Sequence, residues 1–136
     1  MSTRVVMTLL VRNEEDVIAE NILFHYAQGV ESFLVMDNLS TDATSAILRR
    51  LARFVLIIYI QQASDMYDPA QWVTEMARSA YQVHGADWVI NNDADEFCLF
   101  PDGDEPSFLD SVAPGIAGLL VQRFVEVSNL SLAELR

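Results

Sequence analysis

Val5-Val6-Met7-Thr8-Leu9-Leu10-Val11 gives way in a single step to Arg12-Asn13-Glu14-Glu15. An apolar run of this length, broken only by Thr8, reads as a strand, about Arg4 to Val11, covered on both faces as strands of parallel sheets are. The polar step marks the end of that strand. Helical period follows over about Glu14 to Gln28, where Ile18, Ala19, Ile22, Leu23, Tyr26 and Ala27 form one stripe and Gly29 ends the pattern. The same alternation then repeats. Ser32 to Met36 reads as a strand, Asp42 to Arg53 as a helix with Arg49, Arg50 and Arg53 at its C-terminus, and Val55 to Ile60 as a strand covered on both faces. Asp68 as N-cap and Pro69 at the first helical position open a third helix, which ends before Gly85 and leads to a strand over Trp88 to Asn91. Strand and helix in this order predict an α/β fold, a mostly parallel sheet with helices on both faces.

The chain has 136 residues, of which 51% are hydrophobic and 21% charged, enough for one compact domain over 1–136. Residues 1–100 read as the βαβ core. Residues 101–136 read as a loop-rich segment, punctuated by Pro101, Gly103, Pro106, Pro114, Gly115 and Gly118, followed by one further strand over Leu119 to Val125. The pattern stops there with no helix to cover that strand, as the first half of a longer fold would. An uncovered strand also offers a surface for a homodimer. The single cysteine, Cys98, excludes an internal disulfide or a cysteine-based zinc site and suits a reducing, cytoplasmic setting. A formal charge of −12, with arginine as the sole basic residue type, argues against nucleic acid and anionic membranes. No apolar run approaches the roughly 20 residues of a membrane-spanning helix, and Val5 to Val11 has no cleavage pattern behind it.

Ligands of open α/β sheets bind beyond the carboxyl ends of the strands. Those positions are polar here: Arg12, Asn13, Glu14 and Glu15 after the first strand, Asp37, Asn38, Ser40, Thr41 and Asp42 after the second, Asn92, Asp93, Ala94, Asp95 and Glu96 after the fourth. Asp93 and Asp95, two residues apart at a strand end, suit one hard divalent cation, Mg2+ or Mn2+, whose remaining positions a diphosphate would complete. The competing reading is a solvated acidic turn. Asp37 reads either as a turn former or as a carboxylate free to accept from a nucleobase or ribose, because Ser40 or Asp42 is better placed to cap the second helix. Asn13 and Glu14 read either as N-cap and first-turn acid or as ligand contacts. His25 reads as a boundary contact at the edge of its helix stripe, Arg78 as a surface cation, and Cys98 as a buried small hydrophobe.

In their order and spacing these residues resemble the family 2 nucleotide-diphospho-sugar glycosyltransferases, which have the GT-A fold. The Asn13-Glu14 pair looks like the start of that family's first helix. Asp37-Asn38-Leu39-Ser40-Thr41-Asp42-Ala43-Thr44 is similar to its D-D-G-S-T-D-G-T segment, with Asn38 and Leu39 in place of the second acid and the glycine. Asp93-Ala94-Asp95-Glu96-Phe97 matches the D-x-D motif in its D-x-D-E-F form, and His25-Tyr26 with Gly29-Val30 matches the same branch. The likeness spans about Val5 to Phe100. It implies a Rossmann-like, nucleotide-sugar-binding architecture in which Asp37 contacts the nucleobase, Arg12, Asn13, Glu14 and Asn38 lie around the nucleoside, and Asp93 approaches ribose and metal. Asp95 is then the principal metal ligand. Arg78 lies near an arginine that reaches the nucleotide in the family, although Ser79 stands where an asparagine often follows. The implied reaction is inverting transfer of a sugar from a nucleoside diphosphate, UDP foremost, to an unidentified acceptor hydroxyl. The family's base would fall beyond Arg136, and Glu126 is the only acid near the last strand. Two other readings stand beside it: a non-catalytic metal, nucleotide or partner-binding module, and a hydrolase with Asp93 as nucleophile.

Overall fold

A computed structural model of the chain describes residues 3–100 and 104–119. Its elements are β1 (Val5–Val11), α1 (Ile18–Ala27), β2 (Ser32–Asn38), α2 (Thr44–Leu51), β3 (Leu56–Gln62), α3 (Pro69–Gln82), β4 (Trp88–Asn92) and α4 (Glu105–Asp110). The four strands pair in the order β3-β2-β1-β4, every pair parallel. The expected α/β architecture is the observed one.

Two cores flank the sheet. Val5, Met7, Leu9 and Val11 point to one face and pack with Phe33 and Val35 against Ile18 and Ile22 of α1 and Leu48 of α2. Val6 points to the other, where Leu34 and Met36 meet Trp72, Met76 and Ala80 of α3. Alternate residues of one strand thus enter two different cores, which is why β1 reads as continuously apolar. β3 departs from that expectation. Among the described residues it is one of two edge strands, its residues are at most partly covered, and Leu56 is exposed.

The face change follows from chain direction. Right-handed crossovers from β1 to β2 to β3 put α1 and α2 on one side, and the return crossover that carries the chain back past β1 to β4 puts α3 on the other. The direction reverses between β1 and β4, and the crevice beyond their carboxyl ends is where such sheets bind ligands.

Three local differences from the sequence reading have physical causes. α1 starts at Ile18, four residues later than expected, because the side chains of Asn13 and Glu15 serve another loop. Its buried face holds Ile18, Asn21, Ile22 and His25, while Leu23, Tyr26 and Ala27 are exposed, so the apolar stripe is rotated from the one expected. Within the loop-rich segment, Asp104 accepts from Ser107 N–H and Pro106 sits in the first turn, so α4 forms and brings Leu109 into the core. Gly29, at φ 104°, turns the chain out of α1, and a Cβ there would come within 2.7 Å of Pro106 Cδ. Of the strand expected over Leu119 to Val125, Leu119 is exposed and irregular; the rest lies outside the described residues, as does Glu126. No helix among the described residues is long and apolar enough to cross a membrane.

Candidate functional site

Parallel pairing in register sets Val11 beside Asp37 and Leu9 beside Asn92, so the three polar strand ends share one edge of the sheet. Between β1 and β4 that edge opens into a cavity of about 560 Å3. Arg12, Glu14 and Asn38 line it from β1 and β2, residues 91–96 from β4 and its loop, and Tyr67, Pro69, Val73 and Met76 from the approach to α3 and from α3 itself. One wall is acidic and the facing wall is apolar.

The acidic wall is a tight turn. Glu96 N–H donates to Asp93 O at 3.0 Å, Ala94 is buried beneath, and the Asp93, Asp95 and Glu96 carboxylates each bring an oxygen within 4.8 Å of the others. Glu14 faces the same charge. Its carboxyl is pushed above its ordinary range by burial first, then by the fields of Asp95, Asp16, Asp42 and Asp93. Arg12 is the one cation among the described residues lining the cavity. This donor set fits a hard cation. It is all oxygen and carries an excess of negative charge, and adjacent oxygens around an octahedral ion with bonds of about 2.1 Å stand roughly 3 Å apart, a spacing these carboxylates would reach by closing in from at most 4.8 Å. Glu96 was not among the expected ligands; its distance from Asp93 along the chain hides a turn that brings the two together.

Asn13, expected as a helix cap or ligand contact, does not cap α1. At φ 53° it directs its side-chain oxygen to Thr41 N–H at 2.8 Å and Asp42 N–H at 3.3 Å, while Glu15 accepts from Ala43 N–H at 2.9 Å. The second loop reciprocates: Ser40 Oγ, Thr44 Oγ1 and Asp42 Oδ2 accept from the N–H groups of Asn13, Glu14 and Glu15 at 2.9, 2.8 and 3.2 Å. The polar residues after β1 and β2 are thus largely a clamp between two loops, and only Arg12, Glu14 and Asn38 reach the cavity.

Asp37 lies on the expected edge, yet its carboxylate is not open. It is 3% exposed and outside the cavity lining, Oδ1 accepting from Ser40 N–H at 3.1 Å and Oδ2 from the Tyr59 hydroxyl at 2.7 Å. β2 runs two residues further than expected, so Asp37 is a strand residue paired with Gln61 and within reach of β3. Burial, then the Asp37 hydrogen bond and charge, push the Tyr59 hydroxyl up to about 12, with Arg49 opposing. Arg78 sits exposed on α3 and does not line the cavity.

Sequence reasoning also missed the underside of the acidic loop. Asn21, His25 and Gln28 of α1 and its end face inward, and His25 is fully buried rather than at a boundary. Cys98 N–H donates to His25 Nε2 at 3.0 Å, which makes Nε2 an acceptor and leaves Nδ1 as donor to Asn21 O at 2.8 Å. Burial lowers the pKa of this ring, and the Asn21 carbonyl raises it by less. The available signal was polar residues at i, i+4 and i+7 on a helix whose apolar stripe is weak.

No protein-family model matches the sequence, and no curated protein matches it either. Solved structures do. S. aureus TarS 1-349 in complex with UDP superimposes with a TM-score of 0.59 at 18% identity, covering 80% of this chain and 31% of that one. S. aureus TarS gives 0.59 at 19% identity over 70% of this chain and 17% of its own, and TarS 1-349 in complex with UDP-GlcNAc gives 0.57 at 19% over 70% and 27%. The chain therefore spans less than a third of the structures it matches, and over that part it shares their α/β fold.

Proposed function

We propose that this chain binds a nucleoside diphosphate-sugar, UDP-linked foremost, together with Mn2+ or Mg2+, in the cavity between β1 and β4, as a family 2-like glycosyltransferase domain of the reducing cytoplasm. One observation carries the reading. Three carboxylates of a single turn converge at the topological switch point of the sheet, and the GT-A neighbours that share this fold were solved with UDP and UDP-GlcNAc.

Asp93, Asp95 and Glu96 would hold the cation, with Asp95 central as the sequence resemblance implies. When bound, the cation supplies a positive charge against the negative charge that builds on a departing diphosphate. Arg12, on the facing rim, adds a cation next to the same volume. Asn38 is held by donating its amide to Ser64 O at 3.1 Å, so it presents a fixed polar surface at the cavity wall. The apolar wall of Tyr67, Pro69, Val73 and Met76 suits the flat and hydrocarbon faces of nucleoside and sugar. Asp37 acts beneath the rim through Tyr59 and the Ser40 turn, and Arg78 has no part in this arrangement. Inverting transfer also needs a base for the acceptor proton, and Glu126, the one acid expected near the last strand, lies outside the described residues.

Calorimetry tests the reading. UDP is expected to bind the chain in Mn2+ and not in EDTA, and Asp95→Ala to weaken that binding by about tenfold or more, the usual scale for a lost metal ligand environment. Failure of UDP, GDP and dTDP alike to bind in manganese overturns it.

A further inference from the structure

We infer that the inward polar face of α1, Asn21, His25 and Gln28, is a positioning device that sets the backbone of residues 93–100 and so brings the acidic carboxylates of the turn together. The inference rests on the metal reading above and goes beyond it, because none of the three residues lines the cavity.

The contacts follow the loop residue by residue. Asn21 Nδ2 meets three carbonyl oxygens, Asp93 O at 3.3 Å, Ala94 O at 2.8 Å and Glu96 O at 2.7 Å. His25 Nε2 accepts from Cys98 N–H at 3.0 Å, and Gln28 donates to Cys98 O at 2.6 Å and accepts from Phe100 N–H at 3.2 Å. From Glu96 onward the groups engaged belong to every second residue, 96, 98 and 100. That is the period of an extended strand, so α1 side chains stand where a neighbouring strand would otherwise satisfy the backbone. Asn92 Nδ2 adds a bond to Glu96 O at 2.8 Å from the strand side, pinning the turn from both ends.

Asn21 is fully buried and its Oδ1 has no partner among the described residues, so the side chain is held by what its amide donates. An apolar side chain of similar size would remove that oxygen but would also take this donor from the Ala94 and Glu96 carbonyls. What asparagine adds is a donor aimed at the carbonyls of the turn that carries Asp93, Asp95 and Glu96. Those three carboxylates carry like charge within 4.8 Å of one another, and a turn left to itself would open to separate them.

The test compares wild type, Asn21→Leu, Gln28→Met and, as a destabilised control remote from the turn, Leu48→Ala in the α2 core. Mn2+ binding is read by electron paramagnetic resonance without nucleotide, and the Cys98 and Phe100 amides by hydrogen exchange. Asn21→Leu is expected to weaken Mn2+ binding about tenfold, the low end for loss of an outer support, and to speed exchange of both amides, while Leu48→Ala keeps wild-type Mn2+ affinity. Gln28→Met is expected to do the same more weakly and carries the test should Asn21→Leu not fold. Wild-type Mn2+ affinity or wild-type amide exchange in the folded variants, or an equal loss of affinity in Leu48→Ala, overturns the inference. A wild type that binds no Mn2+ overturns the metal reading itself, a separate and distinguishable result.

Discussion

A histidine buried as the neutral tautomer between two backbone groups ties the loop to pH. The folded pKa of His25 lies below its ordinary 6.5, so the unfolded chain takes up a proton that the folded chain refuses. Its contribution to stability is therefore fully present above pH 6.5 and is lost as pH falls through the lower folded value. Two nearby carboxylates titrate with different consequences. Glu14, raised above 4.5, contributes stability below that pH and loses it as pH rises through its folded value. Asp42 is nudged up by burial and brought net below 3.8 by the Thr44 hydroxyl and the Thr44 and Glu15 N–H groups, so what it contributes persists until stronger acid. Urea midpoints at pH 7.5, 6.5 and 5.5 separate the histidine from the rest: between the first and last pH the wild type is expected to lose more stability than His25→Gln, which has no imidazole to protonate. Parallel pH profiles for the two proteins would contradict the buried neutral ring.

Elements show where sequence reasoning works and where it stops. The four strands fall within two residues of their expected bounds because each carries apolar side chains into packed cores, and α3 starts as expected because Asp68 and Pro69 are local signals that need no tertiary partner. α1 was misphased because half of its inward face is polar and packs on backbone carbonyls, which a count of apolar residues cannot register. The loop clamp was misread for a related reason: Asn13 has the chemistry of a cap, but the N–H groups it serves belong to residues 41 and 42, next to α2. Both functions of Asn13 are testable together. Asn13→Gly removes the side-chain acceptor and keeps a backbone at ease with φ 53°, whereas Asn13→Ala removes the acceptor and adds strain in the left-handed region. Asn13→Gly is expected to cost about 1 kcal/mol and Asn13→Ala about 2 kcal/mol, so the urea midpoints should fall in that order. The reverse order would show that the left-handed backbone at this position carries no strain, and a wild-type midpoint in Asn13→Gly would show that the clamp contributes nothing.

At the scale of the whole molecule the site lies where topology puts it. The polar strand ends and the D-x-D spacing after the fourth strand marked a sheet edge and its charge in the sequence, whereas the strand order that narrows this edge to the crevice between β1 and β4 came only from the structure. What was not legible is how few of the rim residues reach the cavity: Asp37 and Asn13 sit at the right edge but their oxygens are taken up by Tyr59 and by neighbouring backbone. The consequence for the chain as a whole is electrostatic. A formal charge of −12 opposes compaction, and Asp93, Asp95 and Glu96 concentrate part of that charge in one turn. A cation that binds only the folded arrangement stabilises it by mass action, about 2.7 kcal/mol at a hundredfold excess over its dissociation constant. For a domain of this size that corresponds to a rise in Tm of roughly 10 °C. Raising ionic strength with NaCl screens the same charge without filling the turn, so a shift specific to Mn2+ or Mg2+ must exceed that of NaCl at matched ionic strength and must disappear in Asp95→Ala. Equal melting curves for wild type and Asp95→Ala across a manganese titration would show that the turn is a solvated acidic surface and that the carboxylates converge for no ion.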